Sequence, residues 1–247
     1  MNRLVKPVLA LLFLLFSGVS FAQQANLPGV AINFGQGTNL VDTMEVLLLF
    51  TVLTLAPAII ILTTSFTRIV VVLSFIRQAL GTQNMPPNQL LIGFALFLSI
   101  FVMMPTGKSI WENSVKPYQA KQISATQALE GLEKDLRTFM QAHVRKNDIG
   151  LFYDVTSAAA PADINAVPTH YLIPAFIISE LKTAFQIGFL LYIPFIVLDM
   201  VVASVLMAMG MMMLPPMLVS MPFKLLLFVL VDGWQLVTGA ILRSFNT

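Results

Sequence analysis

Four apolar blocks, at about 44–62, 88–104, 184–209 and 217–242, dominate this chain of 247 residues. Each approaches the roughly 20 residues that a helix needs to cross the hydrocarbon core of a bilayer. A backbone in lipid must satisfy its own hydrogen bonds, and these runs are read as helices. The remaining composition agrees: 57% of residues are hydrophobic and 11% charged, with a mean hydropathy of +0.83. A soluble domain carries roughly 25% charged residues, so this balance points to a membrane or a large buried assembly. The net charge of +2 is too small and too scattered for a nucleic-acid partner. With no cysteine, disulfides and thiolate metal sites are excluded.

The chain divides on these blocks. Residues 1–22 read as a secretory signal peptide, with Arg3 and Lys6 in front, an apolar run Val8–Phe16, and a small-x-small site at Ser20-Phe21-Ala22. A short extracytoplasmic segment, 23–43, leads into a first helical hairpin, 44–104. A polar helical insert, 105–170, separates it from a second hairpin, 171–247. With Gln23 outside, the connector 63–87 faces the cytoplasm, and its charges, Arg68 and Arg77, agree with the positive-inside rule.

The first arm of each hairpin is too long for a simple span. Apolar character runs from Met44 to Leu80, interrupted only by Pro57. As one kinked helix this is about 55 Å, against a hydrocarbon core of about 30 Å. The arm Pro174–Met209, with Pro194 inside it, is as long. Proline bends a helix and frees a carbonyl. Much of each arm is therefore expected to pack on protein. The turns echo one another: GTQNMPP at Gly81–Pro87 and GMMMLPP at Gly210–Pro216 share Gly-x3-apolar-Pro-Pro. Gly81 and Gly210 are expected to close a helix, and the pairs Pro86-Pro87 and Pro215-Pro216 to open the next.

The insert carries seven of the Lys/Arg and seven of the Asp/Glu residues, and lies outside by this topology. Ser124 and Gln127 form a candidate capping box. Leu129, Leu132, Leu136, Phe139 and Met140 fall on one face of the helix it opens. The following AAAPADINAVP reads as a linker. A small peripheral helical lobe is expected.

Enzymatic readings fail on the residues. Gly107-Lys108-Ser109 resembles the end of a phosphate-binding loop, but Val102 stands where its first Gly is needed. Both histidines, His143 and His170, lie in the polar insert, so an intramembrane metalloprotease motif is absent. The apolar blocks hold no histidine to activate a serine. Neither catalysis nor a cofactor is expected.

What remains is a small set of charges in apolar surroundings. Asp199, Lys224 and Asp232 each cost about 2.5–3.5 kcal/mol at a helix centre, so each needs a partner or a wet cavity. Counted from the Gly210–Pro216 turn, Asp199 and Lys224 lie at similar depths, about 16 Å and 12 Å. A pair within or between subunits is expected. Glu180 and Lys182 are two residues apart and face different sides of their helix, as contacts to neighbouring chains or headgroups would. The turn itself is unusual: Met200–Pro222 holds eight of the chain's fourteen methionines. Unbranched thioethers exclude water yet repack easily.

Three stretches together carry a family resemblance: TSFTRIVVVLSFIRQALGTQNMPPNQ (64–89), the run Pro174–Pro216, and PFKLLLFVLVDGW (222–234). They closely resemble the FliP family, flagellar type III export-gate proteins related to the SctR proteins of injectisomes. The resemblance implies an all-α membrane-associated fold of two kinked hairpins with an insert, assembling into a pentameric ring. It implies FliQ and FliR as gate partners, FlhA and FlhB as export apparatus, unfolded flagellar proteins as cargo, and the bacterial inner membrane as location. It also implies that Met209, Met211, Met212 and Met213 project into a pore as a deformable constriction. Two other classes remain open: a small-solute or ion transporter, suggested by kinked helices and midspan charges, and a scaffold that conducts nothing.

Overall fold

A computed structural model describes residues 40–82, 85–157, 159, 161, 163–211 and 213–245. The signal-peptide reading and most of the segment 23–43 lie outside these residues, as does Met212. Residues 1–51 and 52–247 form two compact units, and the described part of the first is the opening of helix α1.

The helices in chain order are α1 (Leu40–Leu62), α2 (Phe66–Ala79), α3 (Asn88–Val102), α4 (Met104–Ile110) and α5 (Lys116–Gln119), with a π-helical turn Trp111–Val115 between the last two. Then follow α6 (Ala125–His143), α7 (Lys146–Thr156), a 3-10 turn Ile164–Ala166, α8 (Thr169–Ala208), α9 (Pro216–Leu230) and α10 (Gly233–Arg243). No strand occurs among the described residues. Among the described residues α8 is the one helix long and apolar enough to cross a membrane, and up to four spans result if each bent helix pair counts as one.

The bends differ in place from the sequence expectation. Pro57 lies inside α1, and the chain turns by 65° only after it, at Thr63–Ser65. There the hydroxyls of Thr63 and Thr64 donate to the carbonyls of Ile59 and Ile61 at 2.9 and 3.0 Å, competing with the helical ladder. The fourth apolar block is also broken, by 66° between α9 and α10. Asp232 sits at that break in the left-handed region, φ 51°, and is exposed rather than buried at midspan. The Asp232-Gly233 dipeptide is a local turn signal that the hydropathy of the block conceals.

The two Gly-x3-apolar-Pro-Pro turns start alike. Gly81 and Gly210 have φ of 73° and 76°, a conformation that a side chain disfavours. At the second turn the N–H of Gly210 donates to the Met207 carbonyl and that of Met211 to the Leu206 carbonyl, each at 3.0 Å. That is the paired pattern of a Schellman stop, which satisfies the end of a long helix. Pro87 caps α3, Pro215 caps α9, and Pro216 is the first residue of α9.

α8 is the spine. α2 packs along it and joins Ile69, Val72, Leu73 and Ile76 to Ala184 and Phe195, with Phe228, Val237 and Ile241 from α9 and α10 completing this cluster. The insert shares a second cluster with the start of α8: Phe139, Met140, Val144, Ile149 and Tyr153 pack with Leu172, Ala175 and Phe176. It is thus fused to the spine by a common core, not hung on it as a separate lobe. Its capping box forms, Gln127 N–H to Ser124 Oγ at 3.3 Å and Ser124 N–H to Gln127 Oε1 at 2.9 Å. Of the apolar face of α6, Phe139 and Met140 are buried and Leu136 half-buried, whereas Leu129 and Leu132 are exposed.

The two halves of α8 have different surroundings. Up to Gly188 it buries Leu172, Ala175, Phe176, Ser179, Glu180, Ala184 and Gly188 itself; beyond, only Phe195 and Leu206. At Gly188 the Phe75 side chain of α2 comes close to the α8 backbone. A Cβ there would stand 2.7 Å from two ring atoms of Phe75 and 3.0 Å from its Cβ. Gly188→Ala is expected to destabilise the fold by about 1–3 kcal/mol through overpacking. Phe75→Leu in the same chain should recover part of the loss in denaturant unfolding, and no recovery would place the strain elsewhere.

Candidate functional site: the turn between α8 and α9 and its buried charges

The methionine-rich turn is exposed apolar surface at the tip of two packed helices. Met209 caps α8 and is 67% exposed, Met211 is 37% exposed, and Met213 is 99% exposed. Met207 and Met217 flank them and are exposed as well. The Schellman stop and Pro215 hold this segment to the few residues between the helix ends. The thioethers are therefore presented on a short, braced support.

Below the turn the helices are joined by charge. Lys224 Nζ of α9 lies 2.5 Å from Asp199 Oδ2 of α8, and the lysine side chain is 2% exposed. Ser220 Oγ donates to the other carboxylate oxygen of Asp199. Ser220 precedes Lys224 by four residues, so both fall on the face of α9 that meets α8. The sequence reading missed Ser220, although that spacing could have found it. Each oxygen of Asp199 thus has a partner, which an ion pair removed from water requires.

Glu180 and Lys182 part company. Lys182 is exposed on α8. Glu180 is fully buried and pairs with Arg68 of α2, Arg68 Nε donating to Oε2 at 2.9 Å and Nη2 to Oε1. The expected contact of Glu180 with a neighbouring chain or headgroup is corrected: its partner is a residue of the same chain 112 positions away. Arg68, read in the sequence as a topogenic charge, is 2% exposed and belongs to the core. Arg77 bonds the Asn88 side chain across the first turn. A further buried polar group also went unread: Ser179 Oγ donates to Asp148 Oδ2 at 2.6 Å and accepts the Arg145 N–H at 3.0 Å. It fastens α7 to α8 beside Glu180. Among the described residues no group of three or more His, Asp or Glu gathers to hold a metal ion.

Asp199→Ala leaves Lys224 buried without its partner, at a cost of about 3–5 kcal/mol, whereas Lys224→Ala leaves a carboxylate that is 26% exposed and costs less. Asp199→Ala and Lys224→Ala are each expected to lower the yield of folded protein in membranes, and the double variant to lose less than the sum. Strict additivity in this cycle would mean that the two charges are not coupled.

Comparison with known proteins follows the same residues. The FliP family model matches residues 49–241, taking in α2, α3, the insert, α8, α9 and most of α10. The flagellar biosynthetic protein FliP of Bacillus subtilis is 53% identical over 207 residues, 84% of this chain and 94% of the relative. That of Cereibacter sphaeroides is 51% identical over 219 residues, 88% of this chain and 73% of the relative. That of Aquifex aeolicus is 44% identical over 239 residues, 95% and 98% of the two. The chain belongs to the FliP family.

Proposed function

We propose that this chain is a subunit of the flagellar type III protein export gate, a non-enzymatic pore component of the bacterial inner membrane. In this reading several copies form a ring, a pentamer by the family resemblance, together with FliQ and FliR. FlhA and FlhB adjoin it, and unfolded flagellar proteins pass through. Family membership and the names of the relatives support the flagellar setting.

The observation that carries the gate reading is the turn. Met209, Met211 and Met213 are exposed at the tip of a braced pair of helices, Met213 almost completely. Repeated around a ring, such side chains seal by dewetting and yield to a passing polypeptide, because each contact is weak and unspecific. Closure by side chains suits arms held by the Asp199–Lys224 pair and a Schellman stop, which leave the backbone little freedom.

The quadruple variant of Met209, Met211, Met212 and Met213 to Ala shortens the constriction without adding charge. It is expected to assemble, to leak ions or small molecules across the membrane, and to retain some protein export. Planar-bilayer conductance of the assembled complex measures the leak. A variant that assembles and stays as tight as wild type would remove the gate reading. Saturable binding of one small solute by the purified chain would favour a transporter, and intact export despite every turn substitution a scaffold.

A further inference from the structure

The last helix, α10, is fastened differently from every helix before it. At its start the chain turns by 66° through Asp232, a non-glycine residue in the left-handed region at φ 51°. Such positions strain the backbone and are where a chain bends most readily. Along its length α10 buries one narrow stripe, Gly233, Val237 and Ile241, spaced four residues apart. Leu236, by contrast, is exposed.

Its far end is gripped. Arg68 Nη1 donates to the Ser244 carbonyl at 2.7 Å and to Ser244 Oγ at 3.0 Å. The Phe245 ring lies over the guanidinium, 3.8 Å from ring centroid to Cζ. His143 of α6 stacks edge-on against the same ring, with centroids 5.5 Å apart. Arg68 is already held by Glu180 through Nε and Nη2, so its planar fork is divided between the spine and the chain's closing residues. The cation–π contact adds most where, as here, the cation is out of water.

We propose that α10 is a flap, hinged at Asp232 and latched by the Ser244–Phe245 strap on Arg68. The latch lets α10 lift from α2 and α8 while the spine keeps its own core. When the strap lets go, Arg68 keeps Glu180 but loses its backbone acceptor and its aromatic cover. The closed state thus rests on the latch together with the narrow stripe of Val237 and Ile241 that α10 buries in the core. The inference does not depend on the gate reading, since it concerns only contacts within the chain.

The chain has no cysteine, so a single introduced thiol reports local opening cleanly. Ile241→Cys and Ala184→Cys place it at fully buried positions, one on the buried face of the flap and one between α2 and α8. Maleimide labelling of the full-length protein in membranes is measured for each, alone and combined with Phe245→Ala or Phe245→Leu. The leucine keeps apolar bulk and loses the ring that covers the guanidinium. Labelling at position 241 should accelerate about tenfold with either latch variant while that at 184 stays slow. No acceleration at 241 overturns the latch. Equal acceleration at both positions overturns the flap, because the whole fold would then be loosening.

Discussion

This chain covers the first half of its forty-residue helix far more than the second, and the rest of the structure follows from how α8 is shared out. Its first half is wrapped by α2, α6 and α7 and buries a continuous face. Its second half leaves Phe189, Leu190, Val197, Met200, Val201 and Val205 exposed, with α9 alongside. An apolar surface of that extent is stable in water only when something else covers it. The proposed ring supplies such a cover. It also puts the methionine turn at the end of the uncovered half, where copies would converge.

The buried charges divide along the same line. Arg68–Glu180 sits where the single chain already provides a core, and links α2 to the spine beside the Asp148–Ser179 bond of the insert. Asp199–Lys224 sits in the half that lacks such a core, and joins α9 to α8 where apolar burial is thin. Buried ion pairs contribute little net stability against an apolar replacement, but they penalise every arrangement that separates them. For helices offering long, near-uniform apolar faces, that penalty fixes which faces meet.

Local chemistry was legible in the sequence, and of the tertiary pairings only Asp199–Lys224 was, because the two charges lie at matching depths on either side of one turn. Gly81, Gly210 and the prolines behind them mark turns because their backbone preferences act within a few residues. The Ser124–Gln127 capping box is legible for the same reason. The bend at Thr63–Ser65 was missed because a proline draws attention to itself, whereas two threonines ending a helix act through quiet side-chain bonds. Glu180 was assigned outward because its partner lies across the fold, and no spacing rule reaches from α8 to α2. Asp232 looked like a midspan charge because hydropathy averages over the Asp-Gly break. The periodic face of α6 was read over its full length, yet one chain covers only its second half.

The central claim is that further copies of this chain cover the exposed half of α8 and bring the methionine turns together. Native mass spectrometry of the full-length protein, extracted from membranes after co-expression with its gate neighbours, tests it most directly. The account predicts one particle containing several copies of this chain. Particles that never hold more than one copy would contradict it, because the apolar flank of α8 would then be covered by something other than further copies of this chain.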